Sequence, residues 1–197
     1  MPDPLTFPIP DSLESERLVL RSFRADDAPV LHEALLESIT DLRAHLWFLP
    51  WVAEEPTLKS ASARCRKAAE DFAHRKDFPY LGFDKATDRL VASVGLHRTD
   101  WTIPTTEVGY WVRSSETGKG YASECVAAMS TWALEQLGAA RIKLVTDEQN
   151  GASRAVAKRC GFVLEGHEVS DIRGPDGEIR NNCIYVRKPS TGRARKI

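Results

Sequence analysis

Hydrophobic residues in this chain recur with two periods, two and about 3.6, in an order that gives seven strands and four helices. "RLVLRSF", Arg17–Phe23, puts Leu18 and Leu20 on one side and Arg17, Val19 and Arg21 on the other, which predicts a half-buried strand. "ADDAPVLHEALLES" follows, with Val30, Leu31, Ala34 and Leu35 at helical spacing behind Asp26 or Asp27, either of which can cap a helix. "HLWFLPW" then crowds Trp47, Phe48 and Trp51 around Pro50 with no clean period. A second helix is predicted from about Thr57 to His74, with Ala61, Cys65, Ala68, Ala69 and Phe72 along one face.

A meander comes next. "PYLGFDK" and "RLVASVGLHR" are strands joined by the turn "ATD", and "TEVGYWVR", Thr106–Arg113, is a third. A helix is predicted from about Lys119 to Leu137, with Gly138 as its stop. The strand "RIKLVT", the helix "NGASRAVAKRCGF" and a hairpin around "GPDG" complete the pattern. The expectation is one α/β domain over 1–197, an antiparallel meander feeding a strand–helix–strand unit. Residues 1–15 read as an extended segment, and 189–197 as a basic flexible tail.

The bulk numbers narrow the partners. At 197 residues and 42% hydrophobic content the chain can bury an ample core. Its formal charge of -1 supplies no field for nucleic acid, and no apolar run approaches membrane-spanning length. Four cysteines, Cys65, Cys125, Cys160 and Cys183, form no CxxC pair, and no histidines pair at ligand spacing, so no metal site is expected. Cys125 and Cys160 fall on helical faces as small core residues, which reads as a reducing compartment, the cytoplasm.

The chemistry concentrates at "SSETGKGYASE", Ser114–Glu124, between a strand and a helix. A helix N-terminus offers free N–H groups and the positive end of a dipole, and Gly118 and Gly120 let an anion approach the backbone. Lys119 is followed by Gly120 rather than Ser or Thr, which excludes a Walker loop, and Ser123 stands where a Rossmann fingerprint needs glycine. A pyrophosphate loop of the form [QR]xxGxG/A fits at Gly118 and Gly120 and departs from the pattern at Ser115. The residues alone leave two readings, a phosphate cradle or a plain tight turn.

"EVGYWV", "TGKGYASE" and "NGASRAVAKRCGFVLEG", taken in order, resemble the GNAT superfamily of acetyltransferases. More narrowly they are similar to its RimJ/RimL-type branch, the ribosomal-protein N-acetyltransferases, and the likeness runs from about Glu16 to Arg187. The resemblance implies a mixed, mostly antiparallel sheet of about seven strands, with a splay between the fourth and fifth. It implies acetyl-CoA as cosubstrate, no metal, a primary amine as acceptor and direct attack without a covalent enzyme intermediate. By the same resemblance, Glu116, Thr117, Gly118, Lys119, Gly120 and Tyr121 would wrap the CoA pyrophosphate. Pantetheine would pair along Tyr110, Trp111, Val112 and Arg113, with a backbone N–H near Tyr110 or Trp111 on the thioester carbonyl.

Catalytic roles follow from the same comparison. Glu107 matches the strand-leading glutamate that some relatives use as base, with Glu168 and Asp171 as rivals; its plain alternative is a surface ion pair. Ser153 matches the serine of the "NxxS" signature and would hydrogen-bond the sulfur, while Asn150 would bond pantetheine or cap the helix. Trp47 and Trp51 would wall the acceptor pocket. Arg154 and Lys158 read as solvated helix charges, and His97 as a simple strand residue. Asn182 stands where relatives commonly carry an acid. A protein N-terminal α-amine is the first acceptor expected, a small-molecule amine the second, and a non-catalytic acyl-CoA-binding module the rival class. Many relatives pair as homodimers.

Overall fold

A computed structural model describes residues 8–189. Strands β1 (Ser12–Glu14) and β2 (Leu18–Ser22) lead into α1 (Ala28–Leu46), α2 (Pro50–Ala53) and α3 (Leu58–Ala73). The meander is β3 (Phe78–Asp84), β4 (Leu90–Asp100) and β5 (Thr105–Val112). Helix α4 (Tyr121–Trp132), strand β6 (Arg141–Asp147), helix α5 (Gly151–Arg159) and strands β7 (Val163–Arg173) and β8 (Ile179–Arg187) follow. All eight strands lie in one sheet, ordered β1-β2-β3-β4-β5-β6-β8-β7.

A short eighth strand extends the expected sheet of about seven. Ser12–Glu14, expected as loose extended chain, pairs with Arg21, Leu20 and Val19, so the free edge of β2 is covered by a short strand. The proposed basic tail falls almost wholly on 190–197, and the first seven residues of the extended segment likewise lie outside the described residues. Helix α1 runs longer than its clearest periodic stretch because Leu42 continues the buried stripe of Leu31 and Leu35. The aperiodic aromatic segment holds α2, four residues led by Pro50, which is too short to show a period.

Side-chain alternation divides the core between the two faces of the sheet. Val108, Tyr110 and Val112 of β5 pack with Tyr121, Cys125 and Met129 of α4 and with Val156 and Ala157 of α5. Trp111 points the other way, into a second cluster with Leu31, Leu35 and Leu42 of α1, Val52 of α2 and Ala61 and Cys65 of α3.

The feature that positions the site is an incomplete ladder. β5 and β6 are parallel and pair at Thr105↔Arg141, Thr106↔Ile142 and Glu107↔Lys143. Beyond those pairs Val108–Val112 stays on β4, and Leu144–Asp147 stays on β8. The two strands therefore diverge towards their carboxyl ends, where α4 and α5 begin. This is the splay expected from the resemblance.

Candidate active site

The mouth of the gap is lined by backbone. At the end of β5 the chain makes one 3-10 turn, Ser114–Glu116, and then passes Gly118 at φ 75° and Gly120 at φ 87° into α4. Both φ values lie in the left-handed region, where a Cβ costs roughly 1–2 kcal/mol. The amides of Gly118, Lys119 and Gly120 have no acceptor among the described residues. With the N-terminus of α4 behind them they have the geometry that suits an anion.

The side chains of this loop mostly face away from the gap. Arg113 is buried, donating through Nε to Glu37 Oε2 at 2.6 Å and through Nη2 to Glu33 Oε1. Glu37 also accepts the Ser115 N–H at 2.9 Å. Hydrogen bonds from Ser115 and Arg113 outweigh its desolvation and hold the Glu37 carboxyl at about 2, well below the usual range. Glu116 is buried between Arg89 and Lys119, each at 2.8 Å, so the Lys119 ammonium is already paired. Thr117 Oγ1 donates to Ser114 O, and Tyr121 OH donates to Asp84 Oδ2 at 2.7 Å. Arg17 lies over the Tyr121 ring at 4.5 Å and donates to Lys119 O at 3.0 Å. A frame of ion pairs thus holds the loop's shape and leaves the amides of Gly118, Lys119 and Gly120 free, while those of Glu116 and Thr117, expected in the wrap, are taken by Arg113 O at 2.9 Å and Ser114 O at 3.2 Å.

On the α4–α5 side of the gap, the Tyr110 hydroxyl donates to Ser153 Oγ at 2.9 Å. Burial pushes the Tyr110 phenol up to about 12, so it stays protonated at neutral pH. Asn150 Oδ1 accepts the Ser153 N–H at 3.0 Å and caps α5, which aims that serine at Tyr110. Arg154 turns back to Glu148 O and Tyr185 OH.

On the opposite side, Ser93, Gly95 and His97 of β4 stand beside Trp111, Gly109 and Glu107 of β5. Glu107 is ion-paired with Arg98. His97 lies over Gly95 and Gly109, and its Nδ1 is 3.4 Å from Asp77 Oδ2. Glu168 and Asp171 sit on β7, three strand positions from β5, and Asp171 accepts from Asn182 Nδ2 at 2.8 Å. In sequence Asp77 carries no mark and His97 reads only as a simple strand residue, and the structure brings the two together. The signal was a mid-strand glycine on each of two adjacent strands, "SVGLH" and "EVGYW", which marks a close approach by a neighbouring group.

The two tryptophans separate. Trp47 Nε1 donates to Arg173 O at 2.7 Å and bridges the end of α1 to β7. Arg180, paired with Asp147 at 2.9 Å, lies 5.6 Å from the Trp47 ring. Trp51 instead stacks under the Arg64 guanidinium at 3.6 Å. Burial pulls Arg64 down to about 10. Its Nε and the indole N–H of Trp111 are buried without a hydrogen-bond partner among the described residues. All four cysteines are free and buried, and burial raises the Cys125 thiol to about 12, which leaves no thiolate nucleophile there.

A parallel strand pair split at its carboxyl end, with a glycine turn and a capped helix at the split, leaves an open sheet edge beside unpaired backbone amides. A family described as the acetyltransferase (GNAT) domain matches residues 17–163, and the chain belongs to that family. YdaF of Bacillus subtilis (strain 168), whose name assigns it provisionally to ribosomal N-acetylation, is 28% identical over 156 residues, 77% of this chain and 81% of its own. The ribosomal-protein-serine acetyltransferase of Escherichia coli (strain K12) is 25% identical over 153 residues, 77% of this chain and 82% of its own. Among solved structures, a RimL ribosomal L7/L12 alpha-N-protein acetyltransferase in complex with coenzyme A superposes with a TM-score of 0.81 at 21% identity, over 90% of this chain and 97% of that one. Mycobacterium smegmatis RimJ in complex with CoA-disulfide gives a TM-score of 0.81 at 22% identity, over 91% and 88%. Those two likenesses establish the fold.

Proposed function

We propose that the chain transfers an acetyl group from acetyl-CoA to a primary amine, foremost the α-amine of a protein N-terminus. The observation that carries this reading is the divergence of β5 from β6 beside the free amides of Gly118, Lys119 and Gly120. Those residues fit the donor: the amides suit a diphosphate, and the unpaired edge of Val108–Val112 suits an amide-bearing chain that adds to it like a strand. The relatives' names favour a ribosomal protein N-terminus as acceptor.

The chain's groups divide the work by face. A β5 amide near Tyr110 or Trp111 polarises the thioester carbonyl. Tyr110 and Ser153 offer a proton to the departing sulfur from the α5 side. The amine reaches the carbonyl from the side of α1 and α3, where Trp111 lies, and attacks directly because no cysteine is available as a relay. A small amine is the second reading, favoured by the Trp47–Arg173 bridge, which ties together two walls of the acceptor side.

Thiol release from acetyl-CoA, measured with tetrapeptides beginning in Ser, Ala or Met and with free lysine and spermidine, tests this. Peptide-dependent release supports N-terminal transfer. Release with the small amines alone favours the second reading. Binding of acetyl-CoA with no release for any amine overturns transfer and leaves a coenzyme-binding module.

A further inference from the structure

We propose that His97 is the general base of the transfer, held by Asp77 as a positioning residue, and that Glu107 serves as the counterion of Arg98. The inference rests on the acetyl-transfer reading above and assigns its first proton step.

The geometry begins with two glycines. Gly95 and Gly109 are register partners on β4 and β5, and together they leave a trough on the sheet face opposite α4 and α5. The His97 imidazole fills it. A Cβ on Gly95 would stand 3.0 Å from Nε2, and one on Gly109 would stand 3.2 Å from Cδ2 and 3.4 Å from Nε2. Neither position tolerates a side chain without displacing the ring. Gly109 lies two residues past Glu107↔Lys143, the last pair before β5 and β6 part. Nε2 is therefore held at the origin of the gap, on the face from which the amine comes.

The other ring nitrogen is committed. Nδ1 faces Asp77 Oδ2 at 3.4 Å, a contact that favours the proton on Nδ1 and the lone pair on Nε2. Asp77 is itself fixed. Burial pushes its carboxyl up, but the contact with His97 and the Arg98 amide bring it below the usual range. That amide is available because the register shifts after His97, where Arg98 takes a left-handed φ of 52°. A bulge of this kind re-aims one side chain and is concentrated beside active sites. The other charges near His97 are accounted for. Glu107, its register partner on β5, is paired with Arg98. Asp77 comes from the connection between α3 and β3 and has Lys76 beside it. The His97 side chain is 38% exposed, so its proton can return to water.

The step balances. An α-ammonium gives one proton to Nε2, directly or through one water, and becomes a neutral amine. Its lone pair forms the C–N bond to the thioester carbon, and the C–S bond breaks. The nitrogen passes its second proton to water as the amide forms, and the sulfur takes one from the Tyr110–Ser153 pair, which water refills. The sum is ammonium plus thioester giving amide, thiol and one proton, which His97 releases to water.

The test is thiol release from acetyl-CoA with the tetrapeptides beginning in Ser, Ala or Met, across pH 5 to 9, with acetyl-CoA binding followed by calorimetry. The wild-type kcat/KM should fall on the acid side through one ionisation. His97→Gln should lose about 10²–10⁴ in kcat and that acid limb, with acetyl-CoA affinity kept. Added imidazole should restore part of the rate of His97→Ala, a readout that a structural role would not move. Asp77→Asn should lose roughly 10-fold in kcat, less than His97→Gln. In Glu107→Gln the acid limb should persist. If His97→Gln keeps both rate and limb, or the limb follows Glu107, this assignment is overturned while acetyl transfer stands. If the wild type binds acetyl-CoA yet releases no thiol with any acceptor, the transfer reading falls and this one with it.

Discussion

Replacing Glu37 by Gln removes the charge that anchors the glycine loop to α1. Glu37 accepts from Ser115 N–H at 2.9 Å and from Arg113 Nε at 2.6 Å, and the Arg113 side chain is 4% exposed. The carboxyl is lowered from 4.5 to about 2. At about 1.4 kcal/mol per unit, that shift sets a ceiling of roughly 3.5 kcal/mol on its charge-dependent stabilisation. The Glu37 side chain is 28% exposed, so solvent screening reduces the expected loss to about 1–2 kcal/mol. For a chain of this size the melting temperature should fall by about 3–6 °C at pH 7. The sign with pH is fixed by linkage. A depressed carboxyl stabilises above its unfolded value and loses that contribution as pH falls towards about 2. Urea denaturation of both proteins between pH 7 and pH 2 should show a constant difference down to about pH 5, closing below it. Acetyl-CoA affinity should weaken in parallel, since Ser115 opens the loop. Equal stability at pH 7, or a difference unchanged at pH 2, would refute the proposed anchor.

Gly120→Ala places a Cβ at φ 87° and 3.4 Å from Arg17 Nη2, so calorimetry should show acetyl-CoA binding weakened by roughly 10-fold with the fold retained. Ser153→Ala deletes the acceptor of the Tyr110 hydroxyl and should lower kcat about 10-fold in steady-state assays while acetyl-CoA affinity holds; equal loss of both counts against a role at the sulfur. Cys125→Ala should keep kcat within about twofold, because a thiol raised to about 12 carries no acyl group. Trp47→Phe removes the bond to Arg173 O and should raise the acceptor KM more than that of acetyl-CoA.

Most of the fold was legible because its elements carry strong periods. Leu18 and Leu20 mark β2, and Cys125, Val126 and Met129 mark α4, by spacing alone. Two pieces were not. β1 is three residues long and owes its existence to backbone pairing, which leaves no side-chain pattern. α2 is a single turn. In the site, Gly118 and Gly120 stand out because only special backbone needs them. The orientation of Arg113, Glu116 and Tyr121 was not readable, since it depends on Glu37, Arg89 and Asp84, which are brought in from elements far along the chain. Glu107 drew notice as a carboxylate leading a strand, yet its neighbour Arg98 takes it up through a bulge that no period announces. The His97–Asp77 contact joins a position on β4 to the connection between α3 and β3 and is visible in sequence only through the glycines that make room for it.

The central claim is that the gap between Val108–Val112 and Leu144–Asp147 receives the arm of acetyl-CoA while the amides from Gly118 to Tyr121 hold its diphosphate. A crystal structure of the protein with coenzyme A tests it most directly. The expected result is density for the diphosphate against those amides and a chain running in the open part of the sheet past Tyr110. A closed β5–β6 ladder with the coenzyme elsewhere, or crystals that take up no coenzyme at saturating concentration, would contradict it.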